Sequence, residues 1–135
     1  MAIAGIGHDL VSVARLERVL QGRHGQKFLE RVLTPREREY ARERFGEKKT
    51  GRWAEFAAGR FAAKEAVVKA LGCGIGEGAG FHDLEIMPDG AGRPLCALSD
   101  RSERRLGLAP EGYRIHLTIT HAGEYASAFA VVELV

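Results

Sequence analysis

The sequence has few cysteines, no long apolar run and little net charge. Its 135 residues include only two cysteines, Cys73 and Cys96, and their spacing fits neither a metal-binding pair nor a disulfide framework. No apolar run approaches the roughly 18 residues of a membrane-spanning helix, and "MAIAGIGHDL" does not have the pattern of a secretory signal. These absences predict a cytoplasmic protein with no membrane partner.

The near balance of charge argues against a nucleic-acid partner. Lysine and arginine number 20 against 18 acidic residues, so the net charge is only +2, whereas nucleic-acid binding depends on many phosphate contacts. The charges of the first half alternate in sign, as in solvated helix faces with i,i+4 pairs. The length and the 45% hydrophobic content predict one domain, residues 1–135.

The first predicted element is a strand. The segment "IAGIGHDLV" is short, apolar and interrupted by glycines, which favours a β-strand. Gly5, Gly7 and Asp9 would lie on one face of that strand, where another group can approach the backbone beside a carboxylate. His8 would point to the opposite face, so we do not assign it as a general base.

Helices are predicted for the segments that follow. "SVARLERVLQGR" has helical periodicity with Ser12 as its cap, and "KFLERVL" continues in the same way. "TPRE" predicts a further helix start, because Thr34 and Glu37 form a capping box. A long helix is expected from near Arg52 to Leu71, with Gly72 as its stop.

The second half is rich in strand signals. "GFHDLEIMPD" and "RPLCALS" read as strands joined by "DGAG", and a short helix with Ser99 or Asp100 as its cap follows. The last segment predicts a hairpin around "HAGE", with residues 129–135 in the core of the sheet. This order favours an α+β fold, in which an antiparallel β-sheet packs against a long helix and shorter helices.

The long helix carries charges beside its apolar positions. Ala63, Ala66, Val67 and Ala70 recur at helical spacing and predict a sheet-facing stripe. A second face is predicted to contain Phe61, Lys64, Glu65, Val68 and Lys69. Glu65 and Lys69 stand at i,i+4, which also fits an ordinary solvated face with one stabilising ion pair.

Asp9 and Glu65 are candidate metal ligands. Mg²⁺ commonly takes one or two carboxylates and completes its octahedron with water and phosphate oxygens. Arg60, Lys64 and Lys69 supply nearby cations, and the glycine loop "GCGIGEG" could bring backbone amides to an anion. Together these are the components of a phosphoryl-transfer site, although the sequence alone does not bring Asp9 and Glu65 together.

Three motifs carry a resemblance to a known family. "GIGHDLVSVARLE", "RFAAKEAVVKALGCGI" and "TITHAGEYASAFAVV" resemble the holo-[acyl-carrier-protein] synthase family of 4'-phosphopantetheinyl transferases, in family order and over essentially the whole chain. The resemblance implies transfer of 4'-phosphopantetheine from coenzyme A to a serine of an apo acyl carrier protein, which supports fatty acid or polyketide synthesis. It also implies the transferase-like fold of that family.

The resemblance implies roles for individual residues. Asp9 and Glu65 would bind Mg²⁺, for which Mn²⁺ can substitute; Glu65 would help to deprotonate the serine, and Lys69 would offset charge on the phosphoryl group. Coenzyme A contacts are implied for Arg60, Lys64, Lys69, Gly72, Gly74, Arg93, Pro94 and His121.

Carrier binding and assembly are also implied by the resemblance. Arg15 and Arg18 correspond to the region that meets the acidic carrier, and the family forms a homotrimer with active sites at subunit interfaces. Two departures remove a hydroxyl: Cys73 stands where the family usually has threonine, and Ala122 follows His121. The competing hypothesis is a non-catalytic trimeric module that binds nucleotides or an acidic helical partner through its basic first half.

Overall fold

A computed structural model describes all 135 residues, Met1–Val135. The helices are α1 (Val13–Gln21), α2 (Gly25–Val32), α3 (Pro35–Phe45), α4 (Gly51–Leu71) and α5 (Asp100–Leu106). The strands are β1 (Ala2–Ser12), β2 (Leu84–Pro88), β3 (Pro94–Leu98), β4 (Tyr113–Ala122) and β5 (Tyr125–Leu134), and a 3-10 helix spans Phe81–Asp83. The predicted α+β fold is confirmed.

The strands form two antiparallel sheets. In the larger sheet β5 lies between β1 and β4. Ala130 of β5 is opposite Gly7 of β1 on one side and opposite Leu117 of β4 on the other. The strands β2 and β3 form a separate two-stranded sheet. Helix α4 packs across one face of the larger sheet, against both β1 and β5.

The local signals at the helix ends act as predicted. The Ser12 hydroxyl accepts a hydrogen bond from the Arg15 amide at the start of α1. Thr34 and Glu37 form a reciprocal capping box at the start of α3, which satisfies two amides that the helix leaves unpaired. Helix α4 ends at Gly72, whose φ of 78° is the left-handed conformation that glycine adopts without strain.

Glycines let α4 lie directly on β1. A Cβ atom at Gly5 would collide with the carbonyl oxygen of Ala70, and one at Gly7 would collide with that of Ala66. The alanine stripe of α4 is buried as predicted, with Ala66 fully covered. Because strand side chains alternate between faces, Asp9 lies on this same side of β1, and the close approach brings it next to α4.

The opposite face of the larger sheet is open. Ile6 is 62% exposed and Leu10 is 57% exposed, and the His8 ring bonds the Ser127 hydroxyl on this face at 2.9 Å. The prediction that residues 129–135 lie wholly in the core is therefore wrong in part. Val132 is buried but Phe129 is 43% exposed, because the period of two sends alternate side chains outwards.

No helix of the structure is both long and apolar enough to span a bilayer.

Candidate active site

Asp9 and Glu65 line one cavity. Asp9 comes from β1 and Glu65 from the middle of α4, and the cavity of about 370 Å³ lies between them and helix α1. Its wall contains the apolar side chains Leu16, Phe28 and Phe61. The structure therefore brings together the two carboxylates that the sequence analysis paired.

Lys69 holds the Asp9 carboxylate. Its ammonium donates to Asp9 Oδ1 at 3.2 Å and to the His8 backbone carbonyl at 2.9 Å. Lys69 stands one helical turn after Glu65, so both project from α4 towards β1. The Asp9 side chain is 19% exposed and that of Lys69 is 52% exposed, so a ligand can reach both groups.

The pKa of Glu65 reflects this environment. Burial raises the pKa of the Glu65 carboxyl above its usual value, and the negative charge of Asp9 raises it further. The ammonium of Lys69 opposes the shift only in part. A carboxylate that is held near a second carboxylate and partly desolvated gains from a cation placed between them.

The oxygens available at the two carboxylates suit a magnesium ion. Neither oxygen of Glu65 has a hydrogen bond or ion pair within the chain, and only Oδ1 of Asp9 is engaged. No group of three or more His, Cys, Asp or Glu side chains is arranged to hold a metal ion. A set of two carboxylates excludes a closed structural zinc site and fits Mg²⁺ bound together with phosphate oxygens and water.

Lys64 does not belong to this cavity. It was predicted to face the coenzyme phosphates, but its side chain is 0% exposed and its ammonium bonds Glu37 Oε1 at 2.7 Å. The same ammonium donates to the carbonyls of Val32 and Phe81, so all three of its donors are used. This prediction is wrong because α2, α3 and the 3-10 helix cover that side of α4. Val68, which helical spacing predicts on the same charged face, is buried as well.

A second groove brings together three of the predicted coenzyme contacts. Arg60, Pro94 and His121 line a groove of about 310 Å³, together with side chains that the sequence analysis did not identify. These are Tyr40 and Arg44 of α3, Phe45 and Phe56. The aromatic packing of Tyr40 against Phe56, with ring centres 5.8 Å apart, places α3 here, and no spacing in the sequence indicates that contact.

His121 is anchored at the rim of this groove. Its Nε2 donates to the Glu55 backbone carbonyl at 2.9 Å, which leaves Nδ1 free to meet a ligand. A Cβ atom at Gly59 would lie 2.9 Å from Nε2, so a glycine at that position permits the close approach of the ring. Ala122 ends β4 after His121 and offers no hydroxyl.

The remaining predicted contacts lie outside both cavities. Arg93 is exposed and pairs with Asp89 at 3.1 Å, next to Pro94 but not in the wall of the groove. Gly72 and Gly74 are exposed in the loop after α4. Burial raises the pKa of the Cys73 thiol, while the Gly78 amide donates a hydrogen bond that opposes this shift.

Helix α1 carries two basic residues, of which one lines the first cavity. Arg15 is part of its wall, and Arg18 is exposed on the same helix. Neither side chain forms an ion pair within the chain. Two guanidinium groups without ion pairs on α1, one of them in the wall of the carboxylate cavity, make this face suitable for an acidic partner.

The two cavities lie on different sides of α4. Arg60 and Glu65 are five residues apart, which corresponds to about 140° around a helix and roughly 7.5 Å along its axis. A single copy of the chain thus presents the carboxylates and the arginine–histidine groove in different directions.

Comparison with known proteins identifies the family. A family model described as the 4'-phosphopantetheinyl transferase superfamily matches residues 5–130. The chain belongs to this superfamily. It is 46% identical over 131 residues to the holo-[acyl-carrier-protein] synthase of Geobacillus kaustophilus, covering 97% of this chain and 89% of that protein.

Solved structures of the superfamily have the same fold. The Bacillus anthracis synthase in complex with coenzyme A (3',5'-ADP) is similar with a TM-score of 0.80 and 38% identity, covering 100% of both chains. The Helicobacter pylori synthase in complex with coenzyme A is similar with a TM-score of 0.77 and 34% identity, over 95% of this chain and 99% of that one. The resemblance stated from the three motifs is confirmed.

Proposed function

We propose that this chain, acting as one domain over residues 1–135, transfers 4'-phosphopantetheine from coenzyme A to a serine of an apo acyl carrier protein. Holo carrier protein and adenosine 3',5'-bisphosphate are the products. The observation that carries the proposal is the cavity shared by Asp9 and Glu65, with Lys69 bonded to Asp9. Family membership and relatives named as holo-[acyl-carrier-protein] synthases support it.

Asp9 and Glu65 would hold Mg²⁺, or Mn²⁺ in its place. When bound, such an ion neutralises charge on the pyrophosphate during in-line displacement. Without a cation between them, two carboxylates in a phosphate pocket would repel the ligand. Their unpaired oxygens are therefore an argument for a metal-dependent enzyme over a module that only binds nucleotides.

Glu65 would also help to take the proton of the attacking serine. A pKa raised towards neutrality makes a carboxylate a better proton acceptor, and burial and Asp9 both raise the pKa of Glu65. Lys69 would place its ammonium against the transferring phosphoryl group, where fixed positive charge stabilises the transition state. Positioning by these groups supplies most of the catalysis, as in other phosphoryl transfers.

The second groove would receive the nucleotide part of coenzyme A. Arg60, Arg44, Tyr40 and Pro94 line this groove. The two arginines would pair with the 3'-phosphate, and the Tyr40 ring together with Pro94 would provide apolar surface for the adenine. His121 would add a ring nitrogen at the rim. Arg93 and the loop with Gly72 and Gly74 stay proposed contacts on the resemblance alone.

A homotrimer would bring the carboxylate cavity of one subunit next to the arginine–histidine groove of another. Because Arg60 and Glu65 face different directions, one coenzyme can meet both groups if they come from neighbouring subunits. The open face of the larger sheet, with Ile6, Leu10 and Phe129 exposed, provides apolar surface for such an assembly. We therefore place the active sites at subunit interfaces.

The carrier would dock on α1. The unpaired guanidinium groups of Arg15, in the wall of the carboxylate cavity, and of Arg18, exposed on the same helix, are suited to an acidic protein surface, where charge complementarity speeds association. In this position the carrier serine would enter the cavity beside Glu65.

An intact-mass assay tests the function. An apo acyl carrier protein is mixed with coenzyme A, magnesium and this protein, and the carrier should gain the mass of phosphopantetheine. The Glu65→Gln variant serves as the matched control and should give no gain. Binding of coenzyme A without any modification of the carrier would instead support the non-catalytic module.

A further inference from the structure

The buried ion pair of Lys64 and Glu37 lines neither cavity, but Lys64 is next to Glu65 in the sequence and one helical turn after Arg60. The two side chains are 0% exposed and joined at 2.7 Å. A buried pair is costly to desolvate and is often no more stabilising than apolar residues of the same volume. Because Lys64 lies between Arg60 and Glu65 on α4, we ask what the pair does besides contributing to stability.

The pair belongs to a ring of contacts that runs from Lys64 through Glu37 and Ile86 to Arg60 and closes along α4. Glu37 accepts a hydrogen bond from Lys64 through Oε1 at 2.7 Å and one from the Ile86 amide through Oε2 at 2.8 Å. The Ile86 carbonyl in turn accepts from Arg60 Nε at 3.1 Å. Arg60 and Lys64 stand one turn apart on α4, so the ring closes through the helix.

This ring leaves the two terminal nitrogens of the Arg60 guanidinium available to a ligand. Nε of Arg60 is held by Ile86, and the guanidinium carbon lies 4.5 Å from the centre of the Phe56 ring. The two terminal nitrogens have no partner within the chain, and Arg60 lines the second groove. Because the guanidinium is rigid and planar, fixing Nε and the ring contact fixes the direction of both terminal nitrogens.

We propose that the Lys64–Glu37 pair is a positioning device for Arg60, which orients its terminal nitrogens towards a phosphate group of the coenzyme. Lys64 pairs with Glu37, and Glu37 accepts a hydrogen bond from the Ile86 amide of β2. The Ile86 carbonyl then accepts the hydrogen bond from Arg60 that fixes its guanidinium. This inference rests on the proposed function, since it takes the second groove as the nucleotide site. It gives Lys64 a role in coenzyme binding without any contact to the coenzyme.

Titration of adenosine 3',5'-bisphosphate by calorimetry tests the positioning role. Glu37→Gln and Arg60→Ala should each weaken binding about tenfold, as expected for the loss of one charge-assisted hydrogen bond. In the double variant, Glu37→Gln should have no further effect, because residues that act through one contact are not additive. Two effects that multiply would overturn the proposal.

A second variant guards against a failure to fold. Replacing both residues with methionine, Lys64→Met and Glu37→Met, removes both buried charges together, which structures tolerate better than the loss of one partner. This variant should fold, and its KM for coenzyme A should rise about tenfold with little change in kcat. A folded methionine variant with an unchanged KM would contradict the positioning role.

Tyr113→Phe is the matched control. It removes a partly buried contact elsewhere, the 2.7 Å hydrogen bond from the Tyr113 hydroxyl to Glu103, which lies outside both cavities. It should lower stability without changing bisphosphate affinity, and an equal loss of affinity would show that general loosening explains the effect. A wild-type protein that binds no bisphosphate would overturn the proposed function, and the positioning role with it.

Discussion

The ammonium of Lys69 lies 3.2 Å from Asp9 Oδ1, across 60 residues of sequence. This contact joins the last turn of α4 to β1 and keeps the Asp9 carboxylate at the cavity that contains Glu65. Helix α4 thus supplies one proposed metal ligand and the cation that holds the other. The glycines of β1 make this possible, because they let the helix approach the strand.

Replacing Glu65 with glutamine should remove activity but not stability. The variant keeps the shape of the side chain and loses a metal ligand, so the rate should fall by at least about a hundredfold. A carboxyl whose pKa is raised by folding costs stability above that pKa, and the pKa of Glu65 is raised. Thermal unfolding at neutral pH should therefore give a Tm equal to or above the wild-type value. A clearly lower Tm would show that Glu65 is mainly structural.

The titration of Glu65 should respond to Lys69. In chelator-treated protein, the pKa of the Glu65 carboxyl is expected above its usual value of about 4.3, because burial and Asp9 raise it. Lys69→Met removes the charge that opposes the shift and should raise the pKa further. Carbon-detected NMR titration measures both values. A wild-type pKa at or below the usual value would contradict the described electrostatics.

Gly7→Ala should damage the contact between β1 and α4. The added methyl group would collide with the carbonyl oxygen of Ala66, and overpacking of this kind costs about 1–3 kcal/mol. Urea unfolding should show that loss together with weaker activity. Gly90→Ala is the control, since nothing lies within 4 Å of its added Cβ. Equal stability of the two variants would show that the close approach is not required.

Ile6→Lys should separate the proposed trimer. Ile6 is 62% exposed on the open sheet face, so a lysine costs the single chain little but would place a charge in the interface. Light scattering should report a monomer with a native circular dichroism spectrum and low transferase activity. Leu95→Lys, at a residue 54% exposed on β3, is the control that should stay trimeric. An Ile6→Lys trimer of full activity would disprove this interface.

Local signals allowed much of the fold to be predicted. The capping box of Thr34 and Glu37, the stop at Gly72 and the glycine-lined face with Asp9 depend on neighbours a few residues away, and the structure contains all three. The carboxylate pair followed from the chemistry of its residue types and from the family motifs.

The features that the sequence did not predict, the burial of Lys64 and the lining of the second groove, depend on long-range packing. Helical spacing predicts Lys64 and Lys69 on one charged face, yet Lys64 is buried and Lys69 is exposed. The difference depends on α2, α3 and Glu37, which is 27 residues from Lys64. Tyr40 and Arg44 in the second groove depend in the same way on how α3 packs.

The measurement that tests the metal site most directly is electron–nuclear double resonance of Mn²⁺ in the presence of coenzyme A. The wild-type protein should bind Mn²⁺ with a ³¹P coupling typical of a directly coordinated phosphate, and Asp9→Asn and Glu65→Gln should each lose most of this bound metal. Mn²⁺ that binds both variants as tightly as the wild type, or that shows no phosphorus coupling, would contradict the account.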